Sequence, residues 1–137
     1  MWNKNFGFSL LEILIVLVLI SLLVGIGITQ YQHFILKARR SDAQTSLLDY
    51  HARLQRCFVM THSYRACIDI ENFPQPSLNG FYEIQALDFD LKKYTLQAIV
   101  NNYQQNDSVC YRFTINQFHE LLAYNQLEQV NLACWSH

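Results

Sequence analysis

The sequence has 137 residues, of which 51% are hydrophobic, with 10 Lys and Arg against 11 Asp and Glu, so one modest domain and an apolar anchor account for its length. From residue 42 onward, ten acidic residues stand against six basic ones. This negative balance argues against a general affinity for phosphate, and therefore against nucleic acid as a partner.

An apolar segment is the first feature of the chain. Between Ile13 and Ile28 only Ser21 interrupts the apolar residues. Counting from Phe8, the segment reaches roughly the 20 residues that a helix needs to cross a bilayer. The sequence therefore predicts a membrane-spanning helix in residues 8–29.

Helical periodicity continues beyond this segment, without a proline or a cluster of turn residues, to about Thr61. We therefore expect one helix from about Phe8 to Phe58, which at about 1.5 Å per residue is roughly 75 Å long. Residues 30–137 are predicted to form a globular domain that includes the second half of this helix.

The N-terminus differs from an ordinary secretory signal. Such a signal has its small-residue cleavage site after the apolar stretch, whereas Gly7 precedes the stretch here. Cleavage after Gly7 would remove only "MWNKNFG" and leave the anchor on the mature protein. Lys4 predicts that this short leader lies on the cytoplasmic side of the membrane.

Glu12 is the one carboxylate inside the apolar run. Insertion scales assign an acidic group near the centre of a membrane helix a cost of roughly 2.5–3.5 kcal/mol. An acid at this place therefore indicates a function that offsets the cost.

The second half of the helix is predicted to be amphipathic. At about 100° per residue, one side carries an apolar stripe with one histidine, and the other side carries charges. The stripe consists of Leu47, Leu48, His51, Leu54 and Phe58, and the charged side of Asp42, Asp49, Arg53 and Arg56. We expect the stripe to pack against the rest of the domain.

His51 lies on the inward stripe and is a candidate metal ligand. No second ligand lies at helical spacing from it, and His33, His62, His119 and His137 are scattered along the chain. We therefore interpret His51 as a hydrogen-bonded core residue and predict no metal site and no cofactor.

Short strands are predicted after the helix. "CFVMTHSYRACIDIENFPQPSLNG" contains both prolines and reads as an irregular connector that ends in a turn. "FYEIQALDF", "KYTLQAIV" and "CYRFTI" have the alternation or the β-branched and aromatic content of strands, and "HELLAY" has it more weakly. The prediction is an α+β fold, in which the long helix covers an antiparallel meander of three or four strands.

Four cysteines, Cys57, Cys67, Cys110 and Cys134, follow the apolar segment. An even number, without a C-x-x-C pair, behind a membrane-targeting segment indicates disulfides formed in an oxidising compartment. Three pairings are open, as is a set of four buried free thiols. Pairing Cys57 with Cys67 and Cys110 with Cys134 is favoured because each joins neighbours in the chain.

The sequence resembles that of a known family. "GFSLLEILIVLVLISLLVGIGITQYQ" resembles the N-terminal motif of type IV pilins, in which a short basic leader ends in Gly and is followed by Phe and, at the fifth mature position, by Glu. "KARRSDAQTSLLDYHARLQRCF" looks like the helix continuation of type IVa minor pilins, and "CYRFTINQFHELLAYNQ" with "ACW" is similar to their last strands and C-terminal disulfide region. The resemblance covers the whole chain and implies the pilin fold, with the hydrophobic half of the helix protruding.

The resemblance implies a role for three residues. Residues 1–7 would be the leader, Gly7 the residue after which prepilin peptidase cuts, and Phe8 the new N-terminus that the peptidase also N-methylates. Glu12, the fifth mature residue, would attract the N-terminal amine of a neighbouring subunit. Pairing with this cation in a packed bundle would relieve a carboxylate that is costly in lipid.

The same resemblance implies where the protein acts. The precursor would cross the bacterial inner membrane once, and the assembly machinery there would transfer it, together with other pilin subunits, into an extracellular pilus. The chain departs from the family pattern at Thr29, where many pilins have a proline that loosens the helix. Gly25 and Gly27 could soften the helix there instead, because glycine costs about 1 kcal/mol in a helix interior.

Alternative roles follow from the same features. A type II secretion pseudopilin shares the leader and helix, but its commonest form has an acid-rich calcium loop. The corresponding segment here, "AYNQLEQVNLACW", offers only Glu128 as a carboxylate, whereas calcium takes 6 to 8 oxygen ligands. We therefore favour a pilus subunit, and a minor rather than a major one. Such a subunit would support pilus assembly, twitching motility, adhesion or DNA uptake. No G-x-S-x-G, H-E-x-x-H or phosphate-binding glycine loop occurs, so we predict no enzyme.

A pilus-associated DNA receptor or adhesin is a further alternative. DNA uptake would need an exposed basic stripe to engage phosphate. Among the strands only Lys92, Lys93 and Arg112 are candidates, and Asp88 and Asp90 lie beside the lysines. The sequence therefore favours a structural subunit over a DNA receptor.

Overall fold

The computed structural model describes residues 7–67 and 72–135. It contains one long α-helix followed by one antiparallel sheet of five strands, which confirms the α+β prediction. The elements are α1 (Leu10–Thr61), β1 (Gln75–Pro76), β2 (Tyr82–Leu87), β3 (Thr95–Val100), β4 (Arg112–Asn116) and β5 (Leu121–Tyr124), with short 3-10 helices at Tyr64–Ala66, Asn102–Gln104 and Leu132–Cys134.

The chain divides into two compact units, with the division after Ile35, whereas the sequence places a boundary at residue 29. In the first unit, α1 is long and apolar enough to cross a membrane, with a mean hydropathy of 2.9 over its most apolar stretch. All of its residues from Leu10 to Ile28 are exposed. Six of the seven residues of the predicted leader, 1–6, lie outside the described residues.

The sheet of the second unit is a simple meander in which each strand pairs with the next. The four predicted strands are all present as β2 to β5. β1 is a two-residue strand inside the predicted connector, and it pairs with Glu83 and Ile84 at the edge of the sheet. Pro76 is tolerated there because an edge strand needs no second hydrogen-bonding partner.

The core lies between the sheet and the second half of α1. One row across the sheet alternates large and small residues, since Ile84 pairs with Ala98, Ala98 with Phe113 and Phe113 with Ala123. All four are fully buried. Such alternation lets a helix pack closely over the small residues while the large ones fill the flanks.

The inward side of α1 differs in part from the prediction. Leu47 and Leu54 are buried as expected, but Leu48 is 38% exposed. Asp42, which was predicted on the charged side, is only 5% exposed. This assignment was wrong because it treated every charge as solvent-facing, whereas a carboxylate can be buried when hydrogen-bond donors surround it.

Two disulfides join Cys57 to Cys67 and Cys110 to Cys134, which are the pairings that the sequence favours. The first connects the last turns of α1 to the residue after the first 3-10 helix. The second connects the segment before β4 to the C-terminal 3-10 helix, where Cys134 is 3% exposed. Each disulfide therefore fixes an irregular segment to the framework.

Candidate functional site

Residues 7–9 precede the first turn of α1. Phe8 is 81% exposed, and a Cβ built on Gly7 would meet no atom within 4 Å. The peptide bond between Gly7 and Phe8 is therefore extrahelical and open. Nothing in the described fold requires glycine at position 7.

Glu12 lies in the first turn of α1, where its amide donates to the Ser9 carbonyl at 3.0 Å. A carboxylate at this place is favoured by the positive end of the helix dipole. Glu12 is also the only Asp, Glu, Lys or Arg between Phe8 and Leu36. Residues 8–28 are thus predominantly apolar, with one carboxylate near their start.

In the second unit, Asp42 binds the turn that precedes β2. One of its carboxylate oxygens accepts from the Asn79 amide at 2.9 Å and from Asn79 Nδ2 at 3.1 Å. The other accepts from the Ser77 hydroxyl and from the Phe81 amide. Four donors satisfy this buried acid, which therefore fixes the turn to the helix.

Arg40 binds a second loop. Its Nε and Nη2 donate to the two oxygens of Asp107 at 2.6 and 2.8 Å, and the Asp107 side chain is 1% exposed. Asp107 also accepts from the Cys110 amide at 3.1 Å and from Gln104 Nε2 at 3.3 Å. This bidentate ion pair ties α1 to the connection between β3 and β4.

Two segments that carry basic residues meet beyond the C-terminal end of α1. The Tyr64 amide donates to the Leu91 carbonyl at 2.9 Å, and this bond brings the neighbourhood of Arg65 to that of Lys92 and Lys93. All three cations are exposed. Sequence reasoning missed this grouping because most of the connector and the whole of β2 separate Arg65 from Lys92 in the chain.

Arg112, the remaining basic candidate among the strands, is engaged within the sheet. Its guanidinium pairs with Glu128 and lies 4.4 Å from the centre of the Tyr124 ring. Arg112 is therefore held in place by the fold and does not add to the basic group near Lys92.

His51 contacts two side chains from other elements. Its Nδ1 lies 2.6 Å from the Tyr94 hydroxyl, and its Nε2 lies 3.3 Å from Nδ1 of His119 in the turn between β4 and β5. Burial, followed by the charge of His119, lowers the pKa of His51. Burial also raises the pKa of Tyr94 to about 12, so this hydroxyl keeps its proton at neutral pH.

Comparison with family profiles gives two matches. The family described as "Type IV minor pilin ComP, DNA uptake sequence receptor" matches residues 29–114, which is more than half of the chain. The family described as "Prokaryotic N-terminal methylation motif" matches residues 2–28. Together the two matches cover the apolar helix and most of the globular domain.

Individual proteins are similar as well. The chain is 25% identical over 100 residues to "Prepilin peptidase-dependent protein D" of Escherichia coli K12, a match over 72% of this chain and 68% of that protein. The crystal structure of the non-core minor pilin PilV of Neisseria meningitidis is similar in fold, with a TM-score of 0.57 and 19% identity, over 70% of this chain and 93% of that one.

Proposed function

Because the chain belongs to the type IV minor pilin family, we propose that its precursor is cut between Gly7 and Phe8 by prepilin peptidase and N-methylated at Phe8. The mature subunit then enters a type IV pilus through its apolar helix. Before assembly this helix anchors the subunit in the bacterial inner membrane, and after assembly the sheet domain lies on the pilus surface.

The N-terminal segment supports cleavage at this bond. Gly7 and Phe8 lie outside the helix, so a peptidase can bind them without unwinding α1. Since a side chain at position 7 would meet no atom within 4 Å, the requirement for glycine comes from the peptidase and not from the fold.

One observation carries the assembly step: Glu12 is the only Asp, Glu, Lys or Arg between Phe8 and Leu36, and the helix residues from Leu10 to Ile28 are all exposed. In lipid this carboxylate is costly. Next to the amine of a neighbouring subunit it gains a charge-assisted partner in a water-poor bundle. The pairing therefore favours transfer from the membrane into the fibre.

N-terminal sequencing and intact-mass measurement of the mature protein test the processing step. We expect the sequence to begin at Phe8 and the mass to include one methyl group. Gly7→Leu should leave only full-length precursor. Gly27→Leu is the control, because a Cβ at position 27 also meets no atom within 4 Å in this chain, and this variant should be cut normally. Cleavage of the Gly7→Leu precursor at the normal rate would refute the assignment.

DNA reception is a second candidate function. The matching family is described as a DNA uptake sequence receptor, and the Tyr64–Leu91 hydrogen bond joins the segment that carries Arg65 to the one that carries Lys92 and Lys93. Neighbouring acids at positions 88 and 90 reduce the positive potential of this group. The group nevertheless offers three exposed cations that could contact phosphates.

An electrophoretic shift assay with duplex DNA tests this candidate. If the group binds DNA, retention weakens as salt rises, and replacing Lys92 and Lys93 by Gln abolishes it. Replacing Arg53 and Arg56 by Gln, which removes two exposed cations from α1 instead, is the matched control and should retain binding. Equal retention by the double variant and the wild type would rule out this surface.

A further inference from the structure

Two histidines from distant parts of the chain meet beside the C-terminal half of α1. His51 lies on α1, and His119 lies in the turn between β4 and β5, 68 positions later. Their rings approach edge to face, with centroids 4.9 Å apart. His119 is exposed, whereas His51 is partly buried, so the pair is open to solvent on one side.

The spacing of the two ring nitrogens suits a shared metal ion. Nε2 of His51 and Nδ1 of His119 are 3.3 Å apart. Two nitrogens at the usual zinc–nitrogen distance of about 2.1 Å would then subtend an angle of about 104° at the metal, close to the tetrahedral value. The metal would take the place of the hydrogen bond between these two nitrogens.

Tyr94 supplies the second contact that a ligating histidine requires. Ligating imidazoles usually donate their other N–H to an oxygen, which fixes the tautomer and the ring orientation. Nδ1 of His51 lies 2.6 Å from the Tyr94 oxygen, and Tyr94 is fully buried. With Nδ1–H donating to this oxygen, Nε2 is the unprotonated nitrogen, which accepts from Nδ1 of His119 when no metal is bound.

We propose that His51 and His119 form a binding site for a divalent transition-metal ion of the zinc and copper class. Imidazole nitrogen suits these metals, and water completes the coordination on the open side. Among the described residues no group of three or more His, Cys, Asp or Glu side chains has the arrangement of a metal site. The site is therefore a two-histidine site, with Tyr94 as a positioning residue.

Both imidazoles must be unprotonated to bind a metal. The groups around His51 are Tyr94, His119 and the backbone of Asn116. Metal binding should weaken on acidification, since protons compete for both imidazoles.

Calorimetric titration of the full mature chain in detergent with zinc chloride at pH 7.5 tests the site. We expect one zinc ion per chain. His119→Asn should weaken binding at least tenfold, because it removes one of the two protein ligands. Tyr94→Phe should weaken binding by roughly tenfold while leaving the stoichiometry unchanged, as expected for a residue that orients a ligand.

His62→Asn is the matched control. His62 and His119 are both exposed and both have a positive φ, of 55° and 63°. Asn tolerates this conformation, so neither substitution should strain the backbone. His62→Asn should bind zinc as the wild type does. Absence of zinc binding by the wild type, or equal binding by the wild type and His119→Asn, would overturn the proposal.

Discussion

Breaking the ion pair between Arg40 and Asp107 should destabilise the globular domain strongly. Arg40→Met keeps most of the apolar stem but removes the guanidinium from a carboxylate that is 1% exposed. Removing one partner of a buried pair typically costs 3–5 kcal/mol, because the other charge remains buried. Asp107 keeps its bonds from Gln104 and the Cys110 amide, so we expect the lower end, about 3 kcal/mol.

Urea unfolding of a fragment that begins at Gln30 measures this loss. The fragment lacks Trp2, so Trp135 is its only tryptophan. Its indole packs 5.5 Å from the Phe113 ring and donates to the Leu122 carbonyl at 2.9 Å, and its fluorescence therefore reports on the core. In a thermal melt followed by the same fluorescence, a domain of about 100 residues should lose roughly 12–24 °C in Tm for a loss of this size.

Arg53→Met is the matched control for this prediction. Arg53 pairs with Asp49 on the same helix at 2.8 Å, but the side chains are 69% and 48% exposed. An exposed pair of this kind contributes about 0.3–0.5 kcal/mol. If Arg40→Met proves no more costly than Arg53→Met, the Arg40 pair does not act as a buried anchor and the reasoning fails.

Three further predictions concern the assembly helix, a disulfide and pH. Glu12→Val should be inserted and cleaved normally but should be depleted from sheared filaments, and recovery equal to the wild type would contradict the pairing role. Replacing Cys110 and Cys134 together by Ser should lower the free energy of unfolding by about 3.5 kcal/mol, the chain-entropy value for a separation of 24 residues; an unchanged urea midpoint would contradict this. The pKa of His51 is lowered from 6.5 in the folded state, so on acidification the imidazole is protonated in the unfolded state before it is protonated in the folded one. The free energy of unfolding should therefore fall as the pH drops below about 6.5. His51→Gln should flatten this dependence in the same unfolding assay.

The helix and four of the strands could be predicted because their signals are local. An apolar run without prolines predicts α1, and alternation at period two predicts β2 to β5. β1 escaped prediction because it has two residues, one of which is Pro76. Its pairing depends on β2, which no local pattern in the connector indicates.

The buried polar contacts could not be predicted in the same way. Arg40 and Asp42 lie in the charged stretch "KARRSD", where periodicity assigns charges to solvent. Their partners are distant in sequence, since Ser77 is 35 and Asp107 is 67 positions away. His119 likewise reaches α1 from 68 positions beyond its histidine partner, so a search for ligands at helical spacing could not find it.

These polar contacts explain how one short part of α1 organises the loops of the domain. Arg40 holds the connection between β3 and β4, Asp42 holds the turn before β2, and Gln44 donates to the Cys134 carbonyl at 2.8 Å. The hydrophobic effect is not directional, so the apolar stripe alone would define the position of the helix on the sheet less sharply. Hydrogen bonds have defined distances and angles; residues 40–44 therefore fix the position of three loops, while the apolar stripe supplies most of the burial.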